Sequence, residues 1–585
     1  MSTAVELRAF ASYATQPAVE TPPPSSQDQM DTAIARLREG AMAFAKLSLE
    51  QRIALAESMQ QGSLRVAERS VQAGCKAKGI ALGTPAEAEE WSTGPWGVVR
   101  QLRLIGESLR GIKNSGNTPI ANIGRTHDGR LSVRTFPGNT IDGMLFKNVT
   151  IDVHMQSGVD QASLEATRAG FYKQPDHDGR VVLVLGAGNI AAIGPMDIIT
   201  KMFNEGKVCL LKMNPVNAYL GPFIEEAFSD AIKRNFFAVV YGGAEEGRYL
   251  VYHRDVDEVH ITGSDKTHDQ IVWGAPGLQQ GERKRLNRPL LKKTITSELG
   301  NISPVIVVPG PYTDKELRFQ AEDTASYFVM NASFLCNAAK MLVLPQGWAG
   351  SDAFLKGVRD VCAKVPSRAA YYPGAEDRWA ALTHGRTQVT RVGDAASGTL
   401  PWTFVSGLAA GARDEPLYSQ EPFCSILSET RLGSADPVEF LDRALGFANN
   451  SLWGTLSATL IVHPKSLKDP RIGQAVEQAI ATLRYGTVTV NGFSGLSFVF
   501  AAPPWGAYPG STLDDIQSGR GFVHNTAMLG GIEKVVMRCP LTSFPKPGYF
   551  VSHRTTHKLM PKLVRLEEHA SWGQVPGIVM AAVRG

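Results

Sequence analysis

The sequence has little of what three broad classes of protein need. Its six cysteines form no C-x-x-C pair, and none lies at zinc-ligand spacing from a histidine, so neither a zinc module nor a disulfide framework is expected. The 60 basic and 56 acidic residues nearly balance, which argues against a nucleic-acid-binding protein. No run of about 18 apolar residues is present, so we expect no membrane span. The N-terminal segment lacks the apolar run of a signal peptide, and sparse free thiols favour a reducing compartment, the cytoplasm.

What the sequence does contain is enough apolar residue, 43% over 585 positions, to bury the cores of two or three domains. Apolar residues recur at spacings of three and four from about Met30 to Ile112, which predicts helices. LSVRTFP and FKNVTIDVHMQ, between 115 and 180, read instead as strands separated by turn residues. The region after Gly521 mixes turns with short apolar runs and gives no clear prediction.

From about residue 180 onward, strand and helix patterns alternate. The apolar runs VVLVLGAG, KVCLLKM, FFAVVYGG and VDEVHITGS are typical of parallel strands buried on both faces, and helical segments separate them. TITSELG and SPVIVVPG begin another unit, followed by a helix around DTASYFVMNASFLCNAAK and the strand MLVLP. This rhythm predicts an α/β protein with two doubly wound domains, the second starting near Thr296.

One motif in this region is only weak evidence for a dinucleotide-binding site. Residues 186–191, Gly-Ala-Gly-Asn-Ile-Ala, fit the dinucleotide fingerprint G-x-G-x-x-A after a strand and before a helix. That fingerprint also needs an acidic residue at the end of the next strand, and this strand ends in Lys212, Met213 and Asn214. The glycines can equally serve only a tight turn.

A series of short segments carries more weight because they occur together in one order. They are GAGNIAAIGP around Asn189, EGKVCLLKMNP around Lys212, ITGS at 261–264, ELGNISP at 298–304, NASFLCNAAK at 331–340, EPF at 421–423, ANNSLWGTLSA from 448 and YGTVTVNGF around Asn491. The chain resembles the aldehyde dehydrogenase superfamily in these segments, over roughly residues 180–525.

The resemblance implies a division of the chain. Residues 25–130 and 180–295 would form a Rossmann-like cofactor domain, and 296–492 a catalytic domain with the nucleophilic cysteine. Residues 131–179 would be bridging strands that protrude and support a homodimer or homotetramer, and 493–585 a C-terminal oligomerisation segment with an extended tail.

The resemblance also implies catalytic roles. Cys336 would be the thiolate that adds to an aldehyde, Asn189 would donate to the oxyanion together with the Cys336 backbone N–H, and Glu298 would activate water. Each has an alternative reading: an inert small hydrophobe for Cys336, a helix N-cap for Asn189 and a solvated strand-end side chain for Glu298.

A nicotinamide cofactor, NAD or NADP, is implied as well. Lys212 would reach the adenosine ribose or its phosphate, Gly263 and Ser264 the pyrophosphate, Glu421 the nicotinamide ribose, and Phe423 the ring. Pro215 lies where many NAD-using members have an acidic residue. The lack of an acid at this position favours NADP as the cofactor. No metal is expected.

Departures from the family pattern leave the activity open. Gly188 replaces a tryptophan, Ser333 and Phe334 replace Gly-Gln before the nucleophile, and Asn301 replaces a glycine after E-L-G. The leading hypothesis is oxidation of an aldehyde to a carboxylate. A CoA-acylating dehydrogenase or acyl-thioester reductase on the same fold is the second, and a catalytically silent binding protein is the third.

Overall fold

The computed structural model of the chain describes residues 19–174, 176–393 and 396–585. Helices form the N-terminal part, as its helical periodicity predicts. They are α1 (Gln27–Ala45), α2 (Leu49–Ala77), α3 (Glu87–Trp91) and α4 (Gly97–Ser115), with a π-helical turn at Ser92–Trp96. Ser26 and Ser48 start α1 and α2 through capping boxes in which each side chain and the third helical residue satisfy each other's backbone N–H.

Short strands and the cofactor-type sheet follow. The elements are β1 (Asn122–Arg125), β2 (Leu131–Phe136), α5 (Thr140–Leu145), β3 (Thr150–Met155), α6 (Gln161–Thr167), α7 (Gly170–Lys173), β4 (Val181–Leu185), α8 (Ile193–Phe203), β5 (Val208–Lys212), α9 (Gly221–Ala227), α10 (Ser229–Lys233), β6 (Phe237–Val240), α11 (Ala244–Tyr252), β7 (Glu258–Gly263), α12 (Asp265–Trp273), α13 (Leu278–Arg285) and β8 (Thr294–Leu299). A 3₁₀ segment lies at Pro215–Leu220.

The remainder of the chain forms a second α/β unit and the tail. The elements are β9 (Pro304–Val307), α14 (Asp314–Val329), β10 (Met341–Pro345), α15 (Ala349–Cys362), β11 (Arg368–Ala369), α16 (Ala375–Thr383), β12 (Val389–Val392), β13 (Thr399–Leu400), β14 (Trp402–Leu408), α17 (Pro416–Ser419), β15 (Ile426–Leu432), α18 (Pro437–Asn450), β16 (Ser457–Ile461), α19 (Pro470–Thr482), β17 (Thr487–Val490), α20 (Gly495–Phe500), β18 (Pro504–Gly506), β19 (Gly519–Arg520), β20 (Phe522–His524), β21 (Ile532–Arg538), α21 (Thr556–Leu566) and α22 (Val575–Val583). Further 3₁₀ segments lie at Met330–Ser333, Ser466–Lys468 and Trp572–Gln574.

Two large sheets organise these elements. The first has six strands in the order β19-β8-β7-β4-β5-β6, and all neighbours except β19 pair in parallel. The apolar runs that predict buried strands are β4, β5, β6 and β7, of which β6 is the edge strand, and Val182, Leu183, Cys209 and Leu210 in β4 and β5 are almost completely buried. The predicted α/β fold class is confirmed.

The second sheet has eleven strands in the order β1-β2-β3-β21-β17-β16-β9-β10-β15-β14-β12. The strands from β21 to β14 run parallel, while β2, β3 and the outermost strands pair antiparallel. The strands expected to protrude, β2 and β3, therefore extend this sheet through β21 of the same chain, and β1 forms its edge.

Two expectations need correction. Thr296 lies inside β8, which pairs with β7 in the six-stranded sheet, so the second unit starts after Leu299 and not near Thr296. The helix expected around residues 323–340 ends at Val329, and Cys336 lies in a turn. The reason is the backbone at Asn331, Ala332 and Ser333, whose φ values of 51°, 54° and 67° are incompatible with a right-handed helix.

The described ranges contain neither a candidate membrane-spanning helix nor a candidate metal-binding cluster. No helix combines the length and the apolar character that crossing a bilayer requires. No group of three or more His, Cys, Asp or Glu side chains in these ranges is arranged to hold a metal ion.

Candidate active site

Two large cavities meet at Cys336. One, of about 1000 Å³, lies along the carboxyl ends of strands of the six-stranded sheet. The other, of about 870 Å³, is lined partly by the C-terminal tail, and Cys336 lines both. All the residues that the sequence singles out line the first cavity, namely Asn189, Lys212, Gly263, Ser264, Glu298, Cys336, Glu421 and Phe423. We call these the cofactor-side cavity and the tail-side cavity.

The loop that carries Cys336 has a strained backbone. Three consecutive residues without glycine, Asn331 to Ser333, occupy the left-handed region, which costs free energy and persists only where the surroundings hold it. Lys340 provides part of that support, since its Nζ donates to the Leu335 and Cys336 carbonyls, both at 2.9 Å. The Cys336 backbone N–H donates to no acceptor in the part of the chain that the structure describes. It is therefore available to a ligand oxygen.

Glu298 lies next to Cys336 at the end of β8. It is only 2% exposed, which excludes the solvated strand-end reading. Burial and the nearby charge of Asp197 raise the pKa of Glu298 to about 7, although hydrogen bonding from the Cys336 thiol and the Trp505 indole opposes the rise. A carboxyl with this pKa can accept a proton near neutral pH and return it.

Asn189 reaches the same loop from the turn between β4 and α8. Its side-chain nitrogen donates to the Phe334 carbonyl at 2.9 Å, which leaves its second N–H for another acceptor. Asn189 does not cap a helix, because the N-cap of α8 is Ala192. Its backbone carbonyl accepts from Lys78, Asn331 and Tyr371. This network fixes the position of the Asn189 amide.

Position 188, where the family resemblance leads one to expect a tryptophan, is tightly packed. A Cβ atom here would lie 2.6 Å from Asn214 Oδ1 and 2.9 Å from Val216 Cβ. The space that a larger side chain needs is filled by the segment after β5. The substitution is thus a consequence of local packing.

The far end of the cofactor-side cavity suits an anionic dinucleotide. Burial lowers the pKa of Lys212 to about 8, with the charge of Glu246 acting in the opposite direction, and Lys212 Nζ has no hydrogen-bond partner among residues 19–174, 176–393 and 396–585. Gly263 and Ser264 precede α12, where Ser264 is the N-cap, and free N–H groups at a helix start bind anions. The residues present fit a nicotinamide dinucleotide in position, charge and cavity size.

Glu421 and Phe423 lie closer to Cys336. Glu421 Oε1 is paired with Lys340 Nζ at 2.7 Å, and its other oxygen packs so closely on Gly300 that a Cβ there would be 1.9 Å away. Phe423, with φ of 42°, packs its ring against Tyr372 at 4.9 Å between centroids. Glu421 thus links the cofactor-side cavity to the lysine that supports the Cys336 loop.

Several functional neighbours were missed from the sequence. Lys340, Asn331, Tyr371 and Lys78 all bond to the Cys336 loop or to Asn189, and a buried ion pair at 2.7 Å joins Lys78 to Glu90. Asn331 and Lys340 flank Cys336 within one segment and were detectable as polar residues in an otherwise apolar run. The other two come from distant parts of the chain and give no local signal.

Comparison with known proteins agrees with this geometry. Residues 170–373 match the model of the aldehyde dehydrogenase family. A 4-trimethylaminobutyraldehyde dehydrogenase of Rattus norvegicus is 29% identical over 156 residues, covering 26% of this chain and 27% of the relative. An N-succinylglutamate 5-semialdehyde dehydrogenase of Novosphingobium aromaticivorans is 27% identical over 304 residues, covering 48% of this chain and 58% of the relative. The matches thus span from about a quarter to somewhat over half of these relatives.

Solved structures extend the likeness in fold over most of the chain. An NADP-dependent glyceraldehyde-3-phosphate dehydrogenase of Bacillus halodurans has a TM-score of 0.57 at 16% identity, covering 88% of this chain and 92% of that one. An NAD-dependent aldehyde dehydrogenase of Sinorhizobium meliloti has a TM-score of 0.57 at 18% identity, covering 90% and 89%. The chain is therefore similar to the aldehyde dehydrogenase family over residues 170–373, and it shares the fold of these dehydrogenases over most of its length.

Proposed function

We propose that the protein oxidises an aldehyde to a carboxylate with NAD or NADP, using Cys336 as nucleophile, Asn189 as oxyanion donor and Glu298 as general base. The observation that carries this is the position of Cys336 where two cavities meet, with the Glu298 carboxyl against its thiol. One cavity fits the cofactor and leaves the other for the carbon skeleton of the aldehyde.

The first chemical step needs a thiolate. Burial and the charge of Glu298 hold the pKa of the Cys336 thiol well above its ordinary value, while Lys340 acts against this. Direct transfer of the thiol proton to Glu298 would avoid a free, unpaired thiolate. The sulfur then bonds to the aldehyde carbon, and the carbonyl oxygen becomes an oxyanion that accepts from the Asn189 amide and the Cys336 N–H.

Lys212, Gly263, Ser264, Glu421 and Phe423 would hold the nicotinamide dinucleotide. When bound, it would supply the hydride acceptor, and hydride loss from the tetrahedral adduct would leave a thioester on Cys336. Glu298 would pass the proton that it took from the thiol to solvent, and then take one from the water whose oxygen bonds to the thioester carbon. The carbon–sulfur bond breaks, the carboxylate leaves and the thiol is restored.

The buried Glu298 favours water over CoA as the acyl acceptor, because a thiol needs less help from a base than water does. The experiment is to follow formation of reduced cofactor from a panel of aldehydes, with NAD and with NADP, with and without CoA. Turnover without CoA supports the proposal. Turnover that requires CoA favours the CoA-acylating alternative, and no turnover with any aldehyde favours a silent binding protein.

We propose further that the protein is a homodimer or homotetramer of the cytoplasm. The edge strand β1 leaves unpaired backbone groups that a second copy can cover. All six cysteines are free thiols, as a reducing compartment would keep them. Sedimentation at micromolar concentration tests the assembly, and a monomeric mass would contradict it.

A further inference from the structure

The tail-side cavity contains a buried carboxyl that the proposed mechanism does not use. Asp323 lines this cavity, is 3% exposed and lies on α14, well before the Cys336 loop. Tyr549 of the C-terminal tail donates to its Oδ1 at 2.7 Å. The one hydrogen bond found for this carboxyl in the described part of the chain is that from Tyr549, and Asp323 lines the cavity.

The position of Asp323 within α14 sets a distance. Phe319, Asp323, Ser326 and Met330 line the cavity at intervals of three and four residues, so one face of α14 runs along its wall. Met330 begins the loop that leads to Cys336. Met330 lies seven positions after Asp323, about 10 Å along a helix axis. Asp323 thus lies on the same wall of the cavity as the start of the Cys336 loop, about two helical turns before it.

The rest of the wall is mainly apolar, and the tail supplies much of it. Tyr549, Met560, Leu563 and Ile578 line this cavity from the tail side. Phe493 packs against Tyr549 at 5.5 Å between ring centroids. An occupant would therefore contact apolar side chains along much of its length. The Asp323 carboxyl would be its hydrogen-bond acceptor, away from Cys336.

The charges around Asp323 favour a neutral donor on the occupant. Burial raises the pKa of Asp323 to about 7, and neighbouring Glu322 adds to this against the hydrogen bond from Tyr549. A neutral hydroxyl can donate to this carboxyl without the desolvation cost of bringing a charged group into an apolar cavity. Lys546, the nearby tail cation, is engaged by Glu322 at 2.8 Å and by Ser552 at 2.9 Å.

We propose that the tail-side cavity takes aldehydes whose apolar skeleton ends in a hydroxyl group that donates to Asp323. Tyr549 holds the carboxyl towards the cavity. A hydroxyl in this place satisfies a buried acceptor, whereas a hydrocarbon end leaves it unsatisfied. This inference rests on the proposed function, since it names the substrate class of that same site.

The kinetic test compares an ω-hydroxy aldehyde with the unsubstituted aldehyde of the same length. We expect kcat/KM of wild type to favour the hydroxylated substrate by about tenfold, as for one hydrogen bond to a buried acceptor. Asp323→Leu should bring this ratio close to one, and Tyr549→Phe should lower it. Asp314→Asn, at the exposed start of the same helix, is the matched control and should keep the ratio.

A binding measurement separates this inference from the proposed function. Calorimetry with the Cys336→Ala protein should show that an α,ω-diol binds more tightly than the unsubstituted alcohol of equal length, and that adding Asp323→Leu removes the difference. Preferential diol binding without any aldehyde oxidation would refute the function and leave the cavity assignment standing. Oxidation with no preference for the hydroxyl group, or a stronger preference for an ω-amino group, would overturn the inference alone. If Asp323→Leu does not fold, Tyr549→Phe decides.

Discussion

The Cys336 thiol lies against the buried Glu298 carboxyl at the place where the two cavities meet. Burial raises the pKa of both, and the charge of Glu298 raises that of the thiol further. The two groups therefore hold protons that each would lose more readily in water. Such a pair can pass one proton between them and to water, which is what a thiol-dependent oxidation needs.

Replacement of the nucleophile should abolish turnover without loss of cofactor binding. In Cys336→Ala no covalent adduct can form, so kcat should fall by about a thousandfold or more. Stopped-flow and steady-state assays of reduced cofactor measure this, and cofactor binding is followed by fluorescence. Cys362, fully buried in α15 away from both cavities, is the matched control, and Cys362→Ala should retain most activity. Substantial turnover by Cys336→Ala would remove Cys336 as nucleophile.

Loss of the base should separate the two halves of the reaction. Glu298→Gln keeps the shape but cannot take a proton from water, so deacylation should slow more than hydride transfer. A rapid-mixing experiment should show a burst of about one reduced cofactor per site, followed by a stall. Addition of CoA should not restore turnover. Normal turnover of the variant with CoA, and none by wild type without it, would establish CoA as the acceptor.

The pKa of Glu298 also predicts a pH profile. Only the ionised carboxyl can accept a proton, and its pKa is about 7, so kcat should rise through neutral pH and fall about tenfold per pH unit below it. In Glu298→Gln this acidic limb should disappear from the residual rate. If kcat of the variant falls at acid pH as that of wild type does, the group that titrates is not Glu298. Measurements in buffers of constant ionic strength avoid salt effects.

Much of the cofactor-side cavity was predictable because its residues sit at the ends of local patterns. Lys212 ends a buried strand, Gly263 and Ser264 separate a strand from a helix, and Glu298 precedes a glycine at another strand end. The family resemblance implied that these residues belong to one site, and parallel strands bring such ends to one edge of a sheet. Alternating apolar runs likewise predicted the six-stranded sheet.

The tail-side cavity was not predictable for the opposite reason. Tyr549 and Asp323 are 226 residues apart, and neither belongs to a motif. No glycine marks the left-handed backbone from Asn331 to Ser333 in the sequence. Contacts such as the hydrogen bonds of Asn331 with Asn189 and Phe334 hold this backbone conformation. The end of β8 in the first sheet was missed because a strand pattern does not state which neighbour it pairs with.

Cofactor preference should depend on residue 215. Lys212, Pro215 and Arg248 line the cofactor-side cavity, and Pro215 is exposed and carries no carboxylate. We expect NADP to be used at least as well as NAD. Pro215→Glu should lower kcat/KM for NADP about tenfold by repelling the 2′-phosphate, with little loss for NAD. Pro215→Ala, which changes the backbone restraint without adding charge, is the control. Equal effects of the two variants would show that charge is not the cause.

Buried ion pairs of Glu567 attach the C-terminal tail to the helix α4. Glu567 is buried beside Arg100 and Arg103, with Glu567 oxygens at 2.7 Å from a nitrogen of each. Despite burial, which acts to raise it, these two cations lower the pKa of Glu567. Its stabilising contribution is therefore present above the ordinary carboxyl pKa and is lost as pH falls through the lower folded value.

Glu567→Gln removes the negative charge that pairs with the buried Arg100 and Arg103 guanidinium groups. The free energy of unfolding should therefore fall by about 3 kcal/mol. Urea titrations at neutral pH measure this loss, and at a pH below the folded pKa the two proteins should converge. Glu568→Gln, at the half-buried neighbouring position, serves as control and should change stability by less than about 0.5 kcal/mol. Because the tail forms a wall of the tail-side cavity, the Glu567 variant should also weaken diol binding there. A destabilised protein that binds the diol normally would show that the tail wall does not depend on this anchor.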